Sequence, residues 1–229
     1  MSQDPLARQA IEYVKANKAI FIDAVCGKAT KTKQPMAVFM AGTPGAGKTE
    51  VAKSVMEFFD IEPCRIDADD FRALIPGYTG TNSDIVQPAA SLAVDKVLDK
   101  VLDKKYSFIL DGTFAIGKSV MNIKRALRRG FEVQIYFVHQ EPKEAWEFTK
   151  IRERAEGRKV PLDTFVDAYF NSRLNVATVK QQFGDKVLLH VISKSYNANK
   201  ETVYSNVDDL EKILPALYNK DKLKEVLNG

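Results

Sequence analysis

The chain has 229 residues, 45% of them hydrophobic and 28% charged, with a net charge of +4. That length suffices for a buried core and is accounted for by one α/β domain. No apolar run approaches the ~18 residues of a membrane span, and residues 1–5 carry Asp4 rather than a basic, apolar signal pattern, so a cytoplasmic protein is expected. The mild positive balance suits small anionic substrates and does not by itself argue for nucleic acid. Cys26 and Cys64 lie in unrelated contexts without metal-ligand spacing and read as reduced thiols.

In chain order, residues 5–26 place Leu6, Ala10, Tyr13, Val14, Phe21, Ile22 and Val25 near one face of a single amphipathic helix. A polar lead-in over 28–34 runs into an apolar strand at 36–40. The next segment, Gly42, Thr43, Pro44, Gly45, Ala46, Gly47, Lys48 and Thr49, matches the phosphate-binding pattern G-x-x-x-x-G-K-[ST] in full. Its glycines let backbone N–H groups turn toward a phosphate chain. Lys48 brings positive charge to the β- and γ-phosphates, and Thr49 offers a hydroxyl to Mg²⁺. A helical pattern follows (Val51, Val55, Phe58, Phe59), so the helix N-terminus adds its dipole to the site. The expected ligands are ATP and Mg²⁺.

Short apolar runs at 64–66, 108–110, 133–138 and 187–192 read as further buried strands of a parallel sheet. Helical patterns lie at 84–105, 117–129, 142–156 and 161–182, with Gly130 after Arg128 and Arg129 as a helix stop. A last helix is expected at 206–217, before a charged end. The alternation predicts an α/β fold: a P-loop kinase-like, doubly wound, mostly parallel five-stranded sheet with flanking helices and a helical lid. It is organised as one domain, with an N-terminal helix and lead-in (1–34), a kinase core (35–195) and a helical tail (196–229).

Ligands of open α/β sheets gather beyond the carboxyl ends of the strands. The second strand exits through Asp67, Asp69, Asp70 and Arg72. A kinase needs a carboxylate that accepts the proton of an attacking hydroxyl, and Asp69 is expected to be that base. Asp67 suits Mg²⁺ or a structural role, and either could instead cap the helix starting near Phe71. Arg72 could grip an anionic acceptor or be a solvated helix residue. The third strand ends in Asp111, Gly112 and Thr113, the shape of a Walker-B-like metal partner. After the fourth strand come Lys150, Arg152, Arg154, Arg158 and Lys159, a lid whose arginines could clamp a transferring phosphoryl group or simply face solvent. Arg152 and Arg158 are six positions apart and converge only if their helix ends near Gly157. His139 and His190 have no visible partner and read as structural; Trp146 reads as packing.

Taken together, Gly42 to Thr49, Ile66-Asp67-Ala68-Asp69, Ile75-Pro76-Gly77-Tyr78, Asp111-Gly112-Thr113 and Gly130-Phe131-Glu132 through Pro142 resemble the zeta-toxin family, P-loop kinases of bacterial toxin–antitoxin systems. The resemblance runs from about residue 7 to about residue 195. It implies an ATP- and Mg²⁺-dependent kinase acting on a sugar hydroxyl of UDP-N-acetylglucosamine or a related UDP-sugar, with a separate antitoxin protein as partner. It implies Asp69 as general base and Lys48 and Thr49 on phosphates and Mg²⁺. Asp111 falls where the family usually has Glu, Thr113 at its substrate-contacting threonine, and Asp95 near its substrate-binding Glu. The phosphate-clamping arginines fall on Arg152 (or Arg154) and Arg158. Where the family pattern has an Arg shortly after the threonine, this chain reads Phe114-Ala115-Ile116, with Lys118 as a substitute.

Two other readings stand beside this one. Asp69-Asp70-Phe71-Arg72 is similar to the Asp-Asp-aromatic-Arg of polynucleotide 5′-hydroxyl kinases, although the residues that follow are not basic. A nucleotide-dependent switch without transferase activity would use Lys48 and Thr49 but leave Asp69 and the lid arginines unexplained.

Overall fold

The computed structural model describes residues 4–228 except 197 and 199. Helix α1 (Pro5–Ala16) starts behind Asp4, whose carboxylate accepts the Leu6 N–H at 2.8 Å, with Pro5 at the first position where no N–H is needed. The single helix expected over 5–26 is two. Asn17 turns its side-chain amide back onto the Tyr13 carbonyl (2.9 Å), and α2 (Lys18–Cys26) restarts beyond it. A short polar side chain that competes for backbone partners ends helices in this way.

Strand β1 (Met36–Ala41) leads through the glycine loop into α3 (Lys48–Met56). That helix stops earlier than its apolar pattern suggests, leaving Phe58 83% exposed while Phe59 still packs inward. Strand β2 (Cys64–Asp67) passes without a break into α4 (Ala68–Ala73), because Asp67 is both the last strand residue and the helix cap. There follow α5 (Ser83–Lys104), β3 (Phe108–Asp111), α6 (Lys118–Arg128), β4 (Glu132–Gln140), α7 (Pro142–Glu156), α8 (Leu162–Phe183) and β5 (Val187–Ser195).

The sheet has six strands rather than five, in the order β2-β3-β1-β4-β5-β6. The added member, β6 (Lys200–Tyr204), pairs antiparallel with β5 at the edge; the other neighbours are parallel. Its residues are mostly exposed, so it carries none of the apolar run that marks the buried strands. The helix expected over 206–217 shrinks to α9 (Leu210–Ile213), since Pro215 cannot continue it. A further helix, α10 (Lys220–Asn228), buries only Leu223 and Leu227 from an otherwise charged sequence.

Strand alternation divides the core. Ala37, Phe39 and Ala41 of β1 face one side with Cys64, Ile66, Phe108, Ile135 and Val191, against α1, α2, α5, α6 and α8. Val38 and Met40 face the other side with Ile109, Val138 and Ile192, beneath Val51, Ala52 and Val55 of α3. Among the described residues no helix is long and apolar enough to cross a membrane. Parallel pairing brings the carboxyl ends of β1, β2 and β3 to one rim, where Asp67 and Asp111 are register partners.

Phe71 of α4 is fully buried and meets Phe21 of α2 edge-on at 5.7 Å, which anchors the segment carrying Asp69. Phe71→Ala is expected to remove about 3–5 kcal/mol of stability, read as a lower urea midpoint with an unchanged slope.

Candidate active site

The glycine loop closes around its own lysine. Lys48 Nζ donates to the Thr43 carbonyl at 2.7 Å, and the Gly42 N–H donates to the Thr113 carbonyl, joining the exits of β1 and β3. Gly45 has φ 75°, and a Cβ there would lie 2.1 Å from the Ala145 carbonyl oxygen, so only glycine fits where the loop touches the start of α7. Desolvation holds the Lys48 amine down at about 8; Asp111 pulls it up, whereas Arg158 pushes it down further.

Two clusters of opposite charge stand on the rim beside this loop. In the first, Arg65 reaches Asp67 (2.8 Å), Asp70 (2.5 Å) and Asp111 (3.0 Å). The period-two alternation of β2 sends Cys64 and Ile66 into the core and Arg65 and Asp67 out of it. Asp67 also caps α4, accepting the Asp69 N–H at 2.8 Å. Burial raises the Asp111 carboxyl, and Asp67 raises it further; Lys48, Arg65 and a hydrogen bond from Thr49 oppose that.

In the second cluster, Asp69 takes three arginines. Arg72 binds one oxygen, and Arg152 (3.0 Å) and Arg158 share the other. Helix α7 ends at Glu156, and Gly157 turns the chain with φ 73°, so Arg152 and Arg158 meet despite their six-residue spacing. Burial pushes the Asp69 carboxyl up, but Arg158, Arg72 and Arg152 outweigh it and hold the group below the ordinary carboxylate range.

Arg72 is not a solvated helix residue. It is 4% exposed, bound to Asp69 and to the Gln87 side chain of α5, and its Nε has no partner. Arg154 is exposed and takes no part in the Asp69 cluster.

Oxygen donors fit a hard cation at Thr49, at the start of α3, and Asp111, at the end of β3. Among the described residues no group of three or more His, Cys, Asp or Glu could hold a metal alone. Such a donor set suits Mg²⁺ carried on nucleotide phosphates.

A sequence model of the zeta toxin family matches residues 22–209. The chain belongs to the zeta toxin family. Toxin PezT of Streptococcus pneumoniae serotype 4 (strain ATCC BAA-334 / TIGR4) is 21% identical over 214 residues, covering 86% of this chain and 80% of PezT. The solved structure of the PezAT chromosomal toxin–antitoxin system of that species superposes with a TM-score of 0.71 at 19% identity, over 95% of this chain and 92% of that one. AvrRxo1-ORF1:-ORF2 with ATP superposes with a TM-score of 0.61 at 13% identity, over 97% and 71%. The shared architecture is a P-loop kinase-like α/β fold.

Among the positions that the zeta-toxin resemblance singles out, Asp95 and Lys118 are joined by an ion pair at 2.5 Å, between α5 and the first turn of α6. Thr113 is half-buried, and its hydroxyl lies 3.4 Å from the Ala115 N–H. His139 and His190 are both depressed by burial. Burial, then Arg173, brings His139 down to about 4; burial lowers His190, which stacks on Tyr136 at 4.7 Å. Trp146 packs edge-on against Phe165.

Two cations escaped the sequence reading. Arg65 could have been found from its place two residues before Asp67 on the same strand face. Lys194 sits near the carboxyl end of β5, paired with Glu201 at 3.6 Å, and its Nζ would lie 3.1 Å from a Cβ at Gly47. The strand-end rule applied to β5 would have pointed to it.

The Lys48 shift fixes a pH dependence. An unfolded lysine keeps its proton to 10.5, whereas the folded one releases it near 8. The unfolded state therefore binds more protons between those values, and nucleotide-free stability rises with pH across that window. Thermal melts of the wild type should gain stability from pH 8 to 10 relative to Lys48→Met, while nucleotide affinity of the wild type falls over the same range.

Proposed function

We propose that this chain is an ATP- and Mg²⁺-dependent kinase that phosphorylates a hydroxyl of UDP-N-acetylglucosamine or a related UDP-sugar. The observation that carries the reading is the convergence of Arg152 and Arg158, from the lid, on Asp69 at the rim beside the phosphate loop. A nucleotide switch has no use for a carboxylate so placed.

The backbone from Gly42 to Gly47, with Pro44 and Ala46 between its turns, cradles the phosphates, and Lys48 and Lys194 supply positive charge. Thr49 and Asp111 hold Mg²⁺, which when bound neutralises charge on the β- and γ-phosphates. An incoming triphosphate competes with Asp69 for Arg152 and Arg158, and their departure raises the proton affinity of Asp69 toward that of a useful base. The acceptor oxygen then attacks the γ-phosphorus, its proton passes to Asp69, and the bond from phosphorus to the bridging oxygen of ADP breaks. Arg152 and Arg158 stabilise the charge on the transferring group. Arg72 keeps Asp69 aimed, because its other contact is Gln87 on the neighbouring helix.

Asp95, Thr113 and Lys118 border the acceptor side in this reading. The Asp95–Lys118 pair supplies both charges where the family uses Glu and Arg. A polynucleotide 5′-hydroxyl kinase would need Arg72 free to grip a nucleotide phosphate, and its burial against Asp69 and Gln87 counts against that. A separate antitoxin that obstructs the nucleotide site, and a cytoplasmic setting, belong to the same proposal. It is supported by the toxin–antitoxin system named for the PezAT structure.

The test offers purified protein ATP and Mg²⁺ with UDP-N-acetylglucosamine, other UDP-sugars and a 5′-hydroxyl oligonucleotide, and reads products by mass. One added phosphate on a UDP-sugar is expected. Asp69→Asn should slow transfer by ~10²–10⁴ and Arg158→Ala by ~10³ or more, both with nucleotide still bound. Transfer to the oligonucleotide alone, or none at all by a nucleotide-loaded protein, would sink the proposal.

A further inference from the structure

Cys26 and Cys64 are separated by 38 positions, yet their sulfur atoms lie 3.2 Å apart. Cys26 is the last residue of α2 and half-buried; Cys64 is the first residue of β2 and fully buried. Both are free thiols. We propose that they form an oxidisable dithiol, a modification site at which a hydroperoxide converts the two thiols into one disulfide between α2 and the edge strand of the sheet.

Access and charge give the two sulfurs different parts. The exposed side belongs to Cys26, so a small peroxide meets it first. The Cys64 S–H donates to the Cys26 sulfur, which favours a thiolate there. Burial and Asp23 oppose that and Lys100 of α5 assists it, leaving Cys26 below the ordinary thiol value. A thiolate with a cation nearby and partial exposure is the reactive kind, whereas a buried thiol is inert until a partner arrives. Cys64 is such a thiol, pushed up by its bond to Cys26 and by burial.

The chemistry balances without further groups. The Cys26 thiolate attacks one peroxide oxygen, the O–O bond breaks, and the leaving oxygen takes a proton to become water or an alcohol. The resulting sulfenic acid is attacked by the Cys64 sulfur, the S–O bond breaks, and water leaves with the Cys64 proton. Two thiols lose two electrons and the peroxide gains them.

The bond would staple a helix to the strand that ends at Asp67 and leads directly into the helix carrying Asp69, three and five residues beyond Cys64. Phe21 of α2 already packs on Phe71 of α4, so both elements around the pair are held before any bond forms. Closing a loop of this length should raise the melting temperature by roughly 8–16 °C.

The experiment treats the full chain with a small excess of hydrogen peroxide, then alkylates and digests it without reduction. The expected result is an intact mass lower by two hydrogens, a linked Cys26–Cys64 peptide, and a higher melting temperature that dithiothreitol reverses. Cys64→Ala should instead let Cys26 gain two oxygens as sulfinic acid under the same treatment. Cys26→Ser should show neither linkage nor the temperature shift. The wild-type peptide map decides the matter even if a variant folds poorly. Two thiols still open to alkylation after peroxide would overturn the proposal, as would oxygen on Cys26 without the linked peptide or a link formed only between chains.

Discussion

One carboxylate with three arginines is the interaction on which the rest of this structure depends. Asp69 accepts from Arg72 of its own helix and from Arg152 and Arg158 of the lid. Remove its charge, and guanidinium groups from two distant parts of the chain face one another with nothing between them. Keep it, and the end of α7 is tied to the rim of the sheet. Several local features serve that contact. Asp67 caps α4 so that Asp69 leaves the strand at the right angle, Gly157 turns the lid, and the Gly80 backbone lies against the Glu156 carbonyl at the end of α7.

The rim is electrostatically divided. Arg65 collects Asp67, Asp70 and Asp111, while Asp69 collects Arg72, Arg152 and Arg158. The first cluster has an excess of carboxylates beside Thr49, where a divalent cation fits. The second has an excess of guanidinium groups, which fits an anion. A magnesium–triphosphate complex presents both charges at once, cation and anion a few ångströms apart, and so matches this division better than either ion alone. The same arrangement accounts for an Asp69 carboxyl held below its ordinary range: the groups that depress it are guanidinium groups, which an anion also attracts.

Much of this was legible in the chain. The loop from Gly42 to Thr49 is a local pattern, and five strands announce themselves as apolar runs bounded by polar residues. Helical geometry made the meeting of Arg152 and Arg158 conditional on a helix end near Gly157, and α7 ends at Glu156. What stayed hidden is non-local or lacks an apolar signature. Arg72 looks like any charged residue on a short helix, and only the docking of α5 shows that Gln87 buries it. Arg65 gains meaning when β3 lines up beside β2 and brings Asp111 across. Strand β6 is exposed and polar, so it reads as loop until β5 is there to pair with it. Asn17 is an ordinary residue within an amphipathic pattern and breaks the helix through one side-chain bond. The two cysteines, distant in sequence, become neighbours through the packing of α2 on β2.

The most direct measurement is a crystal structure of the protein with Mg²⁺ and a non-hydrolysable ATP analogue. Arg152 and Arg158 should leave Asp69 for the γ-phosphate, Arg72 should stay on Asp69 and Gln87, and the freed Asp69 oxygen should face the acceptor side. A nucleotide seated on the glycine loop with both lid arginines still bound to Asp69 would contradict the proposed mechanism.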